Sequence, residues 1–191
     1  MTTVSIIGKG TMGQAIATVV TGGGGTAELL GREDAGKPLA GDVVVLAVPY
    51  PAVADVIATH REHLDGKVVV DITNPVNFET FDSLTVPPDS SAAAEIAAQL
   101  PGSRVVKAFN TTLGATLAAG TVGPLTTAVL IAGDDADAKA TLTGIVEAGG
   151  LRAVDAGGLA RARELEALGF LQITLAAREQ IGWTGGFGVV A

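Results

Sequence analysis

Short apolar runs of four to seven residues alternate along the chain with stretches whose apolar positions return every three or four residues. The runs predict strands near 3–8, 27–31, 43–48, 67–72, 104–109, 126–132 and 151–155, and the longer-period stretches predict helices over 11–21, 50–63, 90–100, 111–119, 134–148 and 158–181. Period two or continuous apolarity giving way to period 3.6 is the pattern of a parallel sheet covered by helices. The fold class expected is therefore α/β: a doubly wound, Rossmann-type, mostly parallel sheet with helices on both faces. The expected organisation is one dinucleotide-binding domain over 1–191, closed by a long C-terminal helix and a Gly-rich tail, "GWTGGFGVV".

One interval breaks the alternation. Between the strand-like runs "AELLG" and "DVVVLAV" lie only about ten residues, with two Gly, a Pro and four charges among them. Parallel neighbours normally need a crossover of a dozen or more residues, usually helical. The sheet is thus expected to be shortened after its second strand, with a bare loop there; ten extended residues reach about 33 Å, which suffices.

Composition narrows the function classes. With 12 basic and 20 acidic side chains the net charge is −8, which argues against a nucleic-acid surface. No apolar run reaches the roughly 18 residues of a membrane span, and "MTTVSIIGKG" carries no basic leader, so a cytoplasmic protein is expected. The absence of Cys excludes disulfides, thiol catalysis and thiolate metal sites. His60 and His63, three apart in "ATHREHLDG", read as a solvated helix end rather than a metal pair. The run "TGGGG" at 21–25 reads as a helix stop, and the longest irregular stretch is 73–89.

The candidate chemistry begins at "VSIIGKGTMGQAIATVV". Gly8, Gly10 and Gly13 form G-x-G-x-x-G between a β-branched strand and a helical pattern. Such glycines make a tight turn, let backbone approach a pyrophosphate, and pack helix on strand, while the helix N-terminus presents free N–H groups. At the end of the second strand, "LLGRED" offers Arg32 for a 2′-phosphate but also Glu33 and Asp34 for ribose hydroxyls; Lys9 is a second phosphate candidate. NADP is the favoured cofactor on this reading and NAD the alternative. Pairing of Arg32 with its acidic neighbours is the competing structural reading.

Taken together, "GKGTMGQAIA", "GDVVVLAVPYPAV", "KVVVDITNPVNF", "VVKAFNTT" and "DAGGLARARELEAL" resemble the NADPH-dependent oxidoreductases of the coenzyme F420 (deazaflavin) reductase family. The same segments resemble the cytosolic reductase domain of the six-transmembrane metalloreductases. The resemblance covers nearly the whole chain. It implies hydride exchange between NADP(H) and a deazaflavin (coenzyme F420) or a flavin, a small-molecule redox co-substrate, and a homodimer. It implies cofactor contacts from Gly8, Lys9, Gly10, Thr11, Met12 and Gly13, with Arg32 at the adenosine end. Val48, Pro49 and Ala52 would wall the path to the nicotinamide, and Asn74, Pro75, Asn110 and Thr111 would stand near the redox rings. The family usually follows its second strand with Gly-Ser/Thr-Arg; here Arg32 takes the Ser/Thr slot and Glu33 that of the Arg.

Hydride transfer needs alignment and exclusion of water rather than a catalytic side chain, which suits a sequence without an evident triad or carboxylate pair. Tyr50, Phe78, Phe81 and Phe109 fall at or after strand ends, with Phe109 read as a core plug. Trp183 and Phe187 lie in the tail, expected over a cleft or in a dimer interface. The last helix places Leu165, Leu168, Gln172, Leu175 and Glu179 at spacings of three and four, with Phe170, Leu171 and Ile173 also apolar, so a homodimer through this helix is expected. Asn74 and Asn110 either hold a ring amide or satisfy local backbone. Two other functions compete. A β-hydroxyacid dehydrogenase or imine reductase needs a Lys-x-x-x-Asn helix and a large second domain, whereas Lys107 and Asn110 are three apart on a strand. A non-catalytic dinucleotide-sensing module is the other.

Overall fold

The computed structural model describes residues 2–190. Met1 and Ala191, which bound the expected domain, lie outside the described residues. Strand β1 (Thr3–Ile7) is followed by α1 (Thr11–Gly22) and β2 (Thr26–Leu30), then β3 (Val43–Leu46), α2 (Val53–Leu64), β4 (Val68–Asp71), α3 (Ala92–Gln99) and β5 (Arg104–Lys107). Next come α4 (Gly114–Ala119), a hairpin of β6 (Thr121–Val122) and β7 (Leu125–Thr126), β8 (Ala128–Gly133), α5 (Ala136–Ala148), β9 (Arg152–Gly157) and α6 (Ala162–Ala177). Seven strands form one sheet in the order β2-β1-β3-β4-β5-β8-β9. Every neighbouring pair is parallel except β5 and β8, where Val106 faces Gly133 in antiparallel register. The strand expected over 126–132 accordingly begins later, because Thr126 pairs with Thr121 in the hairpin.

The second-strand interval is a loop. From β2 the chain makes one 3-10 turn, Arg32–Asp34, and then runs to β3 without a helix. Its anchors are chemical. Ser5 Oγ donates to Glu28 Oε2 at 2.6 Å, Gly41 N–H donates to Ser5 Oγ at 2.9 Å, and Ala40 N–H donates to Glu28 at 3.1 Å. Leu39 is buried among Ile7, Leu30, Val44 and Leu46, so one loop side chain covers the sheet where a helix would otherwise do so.

Both sheet faces are covered. Val4, Ile6, Val43, Val45, Val68, Val70 and Val106 pack against α1 and α5; Ile7, Val44, Leu46, Val69 and Val105 pack against α2 and α3. Alternating strand positions thereby feed two apolar layers, which is why these strands read as continuous apolar runs. Helix α2 buries Val53, Ile57, His60 and Leu64 along one stripe, so His60 is buried rather than solvated as expected. The last helix is also shorter than expected: a 3-10 turn, Leu159–Arg161, precedes it, and it ends at Ala177, with Glu179 beyond it at φ +58°. Likewise α4 starts at Gly114, three residues after the expected 111, because Asn110–Leu113 leave the sheet as non-helical backbone. Among the described residues no helix is long and apolar enough to cross a membrane.

Candidate functional site

The glycine turn joins β1 to α1, and its three glycines differ in what they face. Gly8 has φ +125°, and a Cβ there would overlap the carbonyl oxygen of Ala47 at the end of β3. A Cβ at Gly13 would overlap the carbonyl oxygen of Gly8. These two are therefore demanded by the fold itself. Gly10 is different: it is the N-cap of α1 with ordinary extended backbone (φ −73°, ψ −176°), and a Cβ there would meet nothing within 4 Å. The fold has no need of a glycine at that position. Its bare Cα and the first turn of α1, which carries no side-chain cap, form an open cradle of the kind a pyrophosphate fills.

Beside the cradle stands a charged cluster at the tip of β2. Lys9 Nζ is ion-paired with Glu33 and lies 3.2 Å from Asp34 Oδ2. Asp34 also accepts from Lys37 at 2.7 Å and from the Gly31 N–H at 2.9 Å. Those partners, Lys37 foremost, hold the Asp34 carboxyl well below the usual carboxylate range. Lys9 does the same for Glu33, and the two acids, Glu33 foremost, push the Lys9 ammonium up. Arg32 is exposed and makes no ion pair among the described residues, so the pairing of Arg32 with its acidic neighbours is not formed. Lys9 has that role instead.

The other expected residues sit at the ends of β3, β4 and β5. Val48 and Ala52 are half-buried and Pro49 is exposed, where a 3-10 turn, Tyr50–Ala52, leads into α2. Asn74 Nδ2 donates to the Asn110 carbonyl at 2.8 Å, and Asn110 Nδ2 donates back to Asn74 Oδ1 at 2.9 Å and to the Leu165 carbonyl at 2.8 Å. The two amides thus clasp strand ends to α6 rather than serving local turns. Gly169 makes this possible, since a Cβ there would overlap Asn74 Oδ1 and stand 2.8 Å from the Asn110 carbonyl. Asn110 is 4% exposed, and its Oδ1 has no partner among the described residues. Pro75 and Thr111 are buried, and Pro75 fixes the following loop by accepting from Thr85 N–H at 2.7 Å.

The aromatic side chains separate by burial. Phe109 is 1% exposed and plugs the core, as read from the sequence. The Tyr50 hydroxyl donates to Glu95 of α3, and burial pushes it up. Phe78 is 57% exposed and meets Phe81 edge-on, with ring centroids 5.5 Å apart. The tail runs back along the protein: Thr116 Oγ1 donates to the Gly185 carbonyl at 2.7 Å and Phe187 N–H donates to Gln172 Oε1 at 3.1 Å, while Trp183 stays exposed. Its anchors are on α4, on α6 and, through Arg152 Nη1 donating to the Val189 carbonyl at 3.4 Å, on β9.

The sequence reading missed a buried charged network. Lys107 Nζ donates to Asp71 Oδ2 at 2.7 Å and to the Thr73 carbonyl at 2.5 Å, and lies 2.8 Å from Glu166 Oε1. Glu166 also accepts from Ala92 N–H at 2.9 Å and Ala93 N–H at 3.2 Å, at the N-terminus of α3. Burial pushes the Glu166 carboxyl up, and Lys107 opposes this. The signal available in the sequence was a charge at the end of each of two apolar runs, "VVVD" and "VVK", which the parallel register sets side by side.

A family model described as "NADP oxidoreductase coenzyme F420-dependent" matches residues 25–75, which span β2, the bare loop, β3, α2 and β4. An F420-dependent NADP reductase of Methanocaldococcus jannaschii is 33% identical over 163 residues, covering 83% of this chain and 73% of that protein. The metalloreductase STEAP3 of Rattus norvegicus is 33% identical over 183 residues, covering 86% of this chain but 36% of that longer protein. A crystal structure from Arthrobacter sp. FB24, solved as a candidate F420-dependent NADP reductase, superposes over 100% of both chains with a TM-score of 0.83 at 22% identity, a likeness of fold.

Proposed function

We propose that this chain, which belongs to the coenzyme F420-dependent NADP oxidoreductase family, is an NADP(H)-dependent oxidoreductase acting on a deazaflavin, with a flavin as the alternative ring. The observation that carries the reading is Gly10, whose missing Cβ serves no packing purpose and leaves a cradle at the N-terminus of α1. Its neighbours Lys9, Thr11 and Met12, with Gly13, hold the pyrophosphate through backbone N–H groups, while Gly8, whose own N–H donates to the Leu30 carbonyl at 2.8 Å, shapes the turn on which they are presented. Arg32 and Lys9 serve the adenosine end. Val48, Pro49 and Ala52 wall the path between the two ends of the cofactor.

Bound NADPH would supply a hydride, which passes with its electron pair to the oxidised deazaflavin while a proton is taken from solvent. The chain contributes alignment. Asn110, its Oδ1 without a partner among the described residues, orients the nicotinamide amide, and Asn74 and the buried Pro75 and Thr111 hold that strand-end surface rigid. Alignment at near contact distance is the main source of rate for such a transfer. Exposed Phe78 offers a ring for the co-substrate to stack on. The β-hydroxyacid dehydrogenase or imine reductase reading is disfavoured by Lys107, whose ammonium is wholly buried and already donates or pairs to three acceptors.

The proposal extends to assembly and place. Helix α6 buries Leu165, Gly169, Gln172 and Ala176 against the rest of the chain, leaving Phe170 and Ile173 half-buried and Leu171 48% exposed. That outer row is the face of a homodimer, which light scattering at micromolar concentration would register as twice the chain mass. A cytoplasmic location suits a soluble redox co-substrate. Turnover is tested by following NADPH oxidation with oxidised F420 and with a free flavin. Consumption of NADPH with F420 supports the reading; tight NADPH binding without turnover on any acceptor would favour the sensing module instead.

A further inference from the structure

The charged cluster at the tip of β2 bears on which nicotinamide cofactor this chain selects, a question that rests on the proposed dinucleotide site. Its two acids are not equivalent. Asp34 is 15% exposed at its side chain and is held by the Gly31 N–H, Lys37 and Lys9 together. Glu33 is 66% exposed, and its one side-chain partner among the described residues is Lys9. Asp34 is therefore a fixed part of the turn and Glu33 a movable one.

The Glu33 carboxylate is folded back over Gly31 so closely that a Cβ there would overlap it. It thus lies across the tip of β2, where an acidic side chain accepts from the hydroxyls of an adenosine ribose. In the same position it would repel a 2′-phosphate and hold its ion-pair partner Lys9 away from it. Arg32, on the same turn, has no ion-pair partner among the described residues to give up.

We infer that Glu33 is the cofactor-selecting residue of this chain: over Gly31 it accepts from the ribose of NAD(H), and it must leave Lys9 before Lys9 and Arg32 can take the 2′-phosphate of NADP(H). An exposed ion pair is weak enough to open on this demand. Selectivity is then a difference between two affinities set by one side chain, with its repulsive part directed against the phosphate. This arrangement comes from the shortened turn "GRED", in which Glu33 stands directly after Arg32.

The test is calorimetric titration of the purified protein, Glu33→Gln and Lys9→Met with NADPH and with NADH. Glu33→Gln keeps shape and removes the charge; its Kd for NADPH falls about fivefold and its Kd for NADH rises, the factor one exposed unit-charge contact supplies. Lys9→Met weakens NADPH and leaves NADH within about twofold. Equal shifts for both cofactors, or none, in Glu33→Gln overturn the inference while leaving the dinucleotide site standing. Failure of the unaltered protein to bind either cofactor would overturn the site itself. Both side chains are exposed, so matching thermal unfolding curves separate binding effects from folding.

Discussion

Lys107 Nζ lies 2.8 Å from Glu166 Oε1, where both side chains are closed off from water. This pair ties the end of β5 to the first half of α6, and Lys107 also reaches the end of β4 through Asp71 and the Thr73 carbonyl. Asn74 follows Thr73, and Asn110 stands three residues beyond Lys107 and donates to the carbonyl before Glu166. The amides nearest the proposed redox rings are therefore held by an ion network one step behind them. That role explains why "KAFNTT" and "ARELEA" belong together, although dozens of residues separate them in the chain.

Lys107→Met strands two buried carboxylates without their cation. Breaking a buried pair in this way costs about 3–5 kcal/mol. Urea unfolding should show a loss of that size, and a loss below about 1 kcal/mol would mean that water reaches the network.

Gly10→Val and Gly13→Ala separate the two meanings of the glycine turn. At Gly10 the added side chain meets open space, so unfolding free energy falls by no more than about 1 kcal/mol of N-cap preference, while NADPH binding is lost. At Gly13 the added methyl meets the Gly8 carbonyl oxygen; overpacking of about 1–3 kcal/mol outweighs the helix-propensity gain of about 1 kcal/mol. Retained NADPH binding in Gly10→Val would make the turn purely structural. Titration and urea unfolding read the two effects.

Gly169→Ala places a methyl against Asn74 Oδ1 and the Asn110 carbonyl. The amide clasp opens or α6 shifts outward. Stability should fall by about 1–3 kcal/mol, and a normal melting curve would show that the clasp has slack.

The buried His60 gives the fold a pH dependence. Burial, with the neighbouring His63 ring 6.3 Å away, holds His60 below its ordinary 6.5, against the pull of the Lys37 backbone. As pH falls the unfolded chain takes up the proton first, so this contribution to stability is full above about 6.5 and is lost as pH drops toward the folded value. His60→Leu should flatten the stability profile between about pH 7 and 5 relative to the unaltered protein. Identical slopes would show that His60 is not desolvated.

The range of the forces involved decides how much of the molecule is legible in its sequence. Val43–Leu46 and Val68–Asp71 announce themselves because both faces of a central strand are buried, and the bare loop after β2 is dictated by chain length alone. His60 is misread because a polar residue near a helix end is ordinarily solvated, yet it falls four residues before Leu64 on a stripe that faces the sheet. The Lys107 network is missed because its members come from elements whose adjacency only the fold provides. The reversed direction of β8 is set by the β6–β7 hairpin, whose two-residue strands carry almost no periodic signal. The glycine turn is legible as a motif, but only the structure separates Gly10, open to a ligand, from Gly8 and Gly13, filled by neighbouring carbonyls.

The proposed activity is direct transfer of a hydride from NADPH to a deazaflavin ring aligned by this chain, without a protein proton relay. The most direct measurement mixes the protein with oxidised F420 and NADPH carrying deuterium at the transferring position of the nicotinamide, and follows the label by mass spectrometry. Direct transfer predicts that the deuterium appears on the reduced deazaflavin. Deuterium lost to solvent, or NADPH left unconsumed, would contradict it.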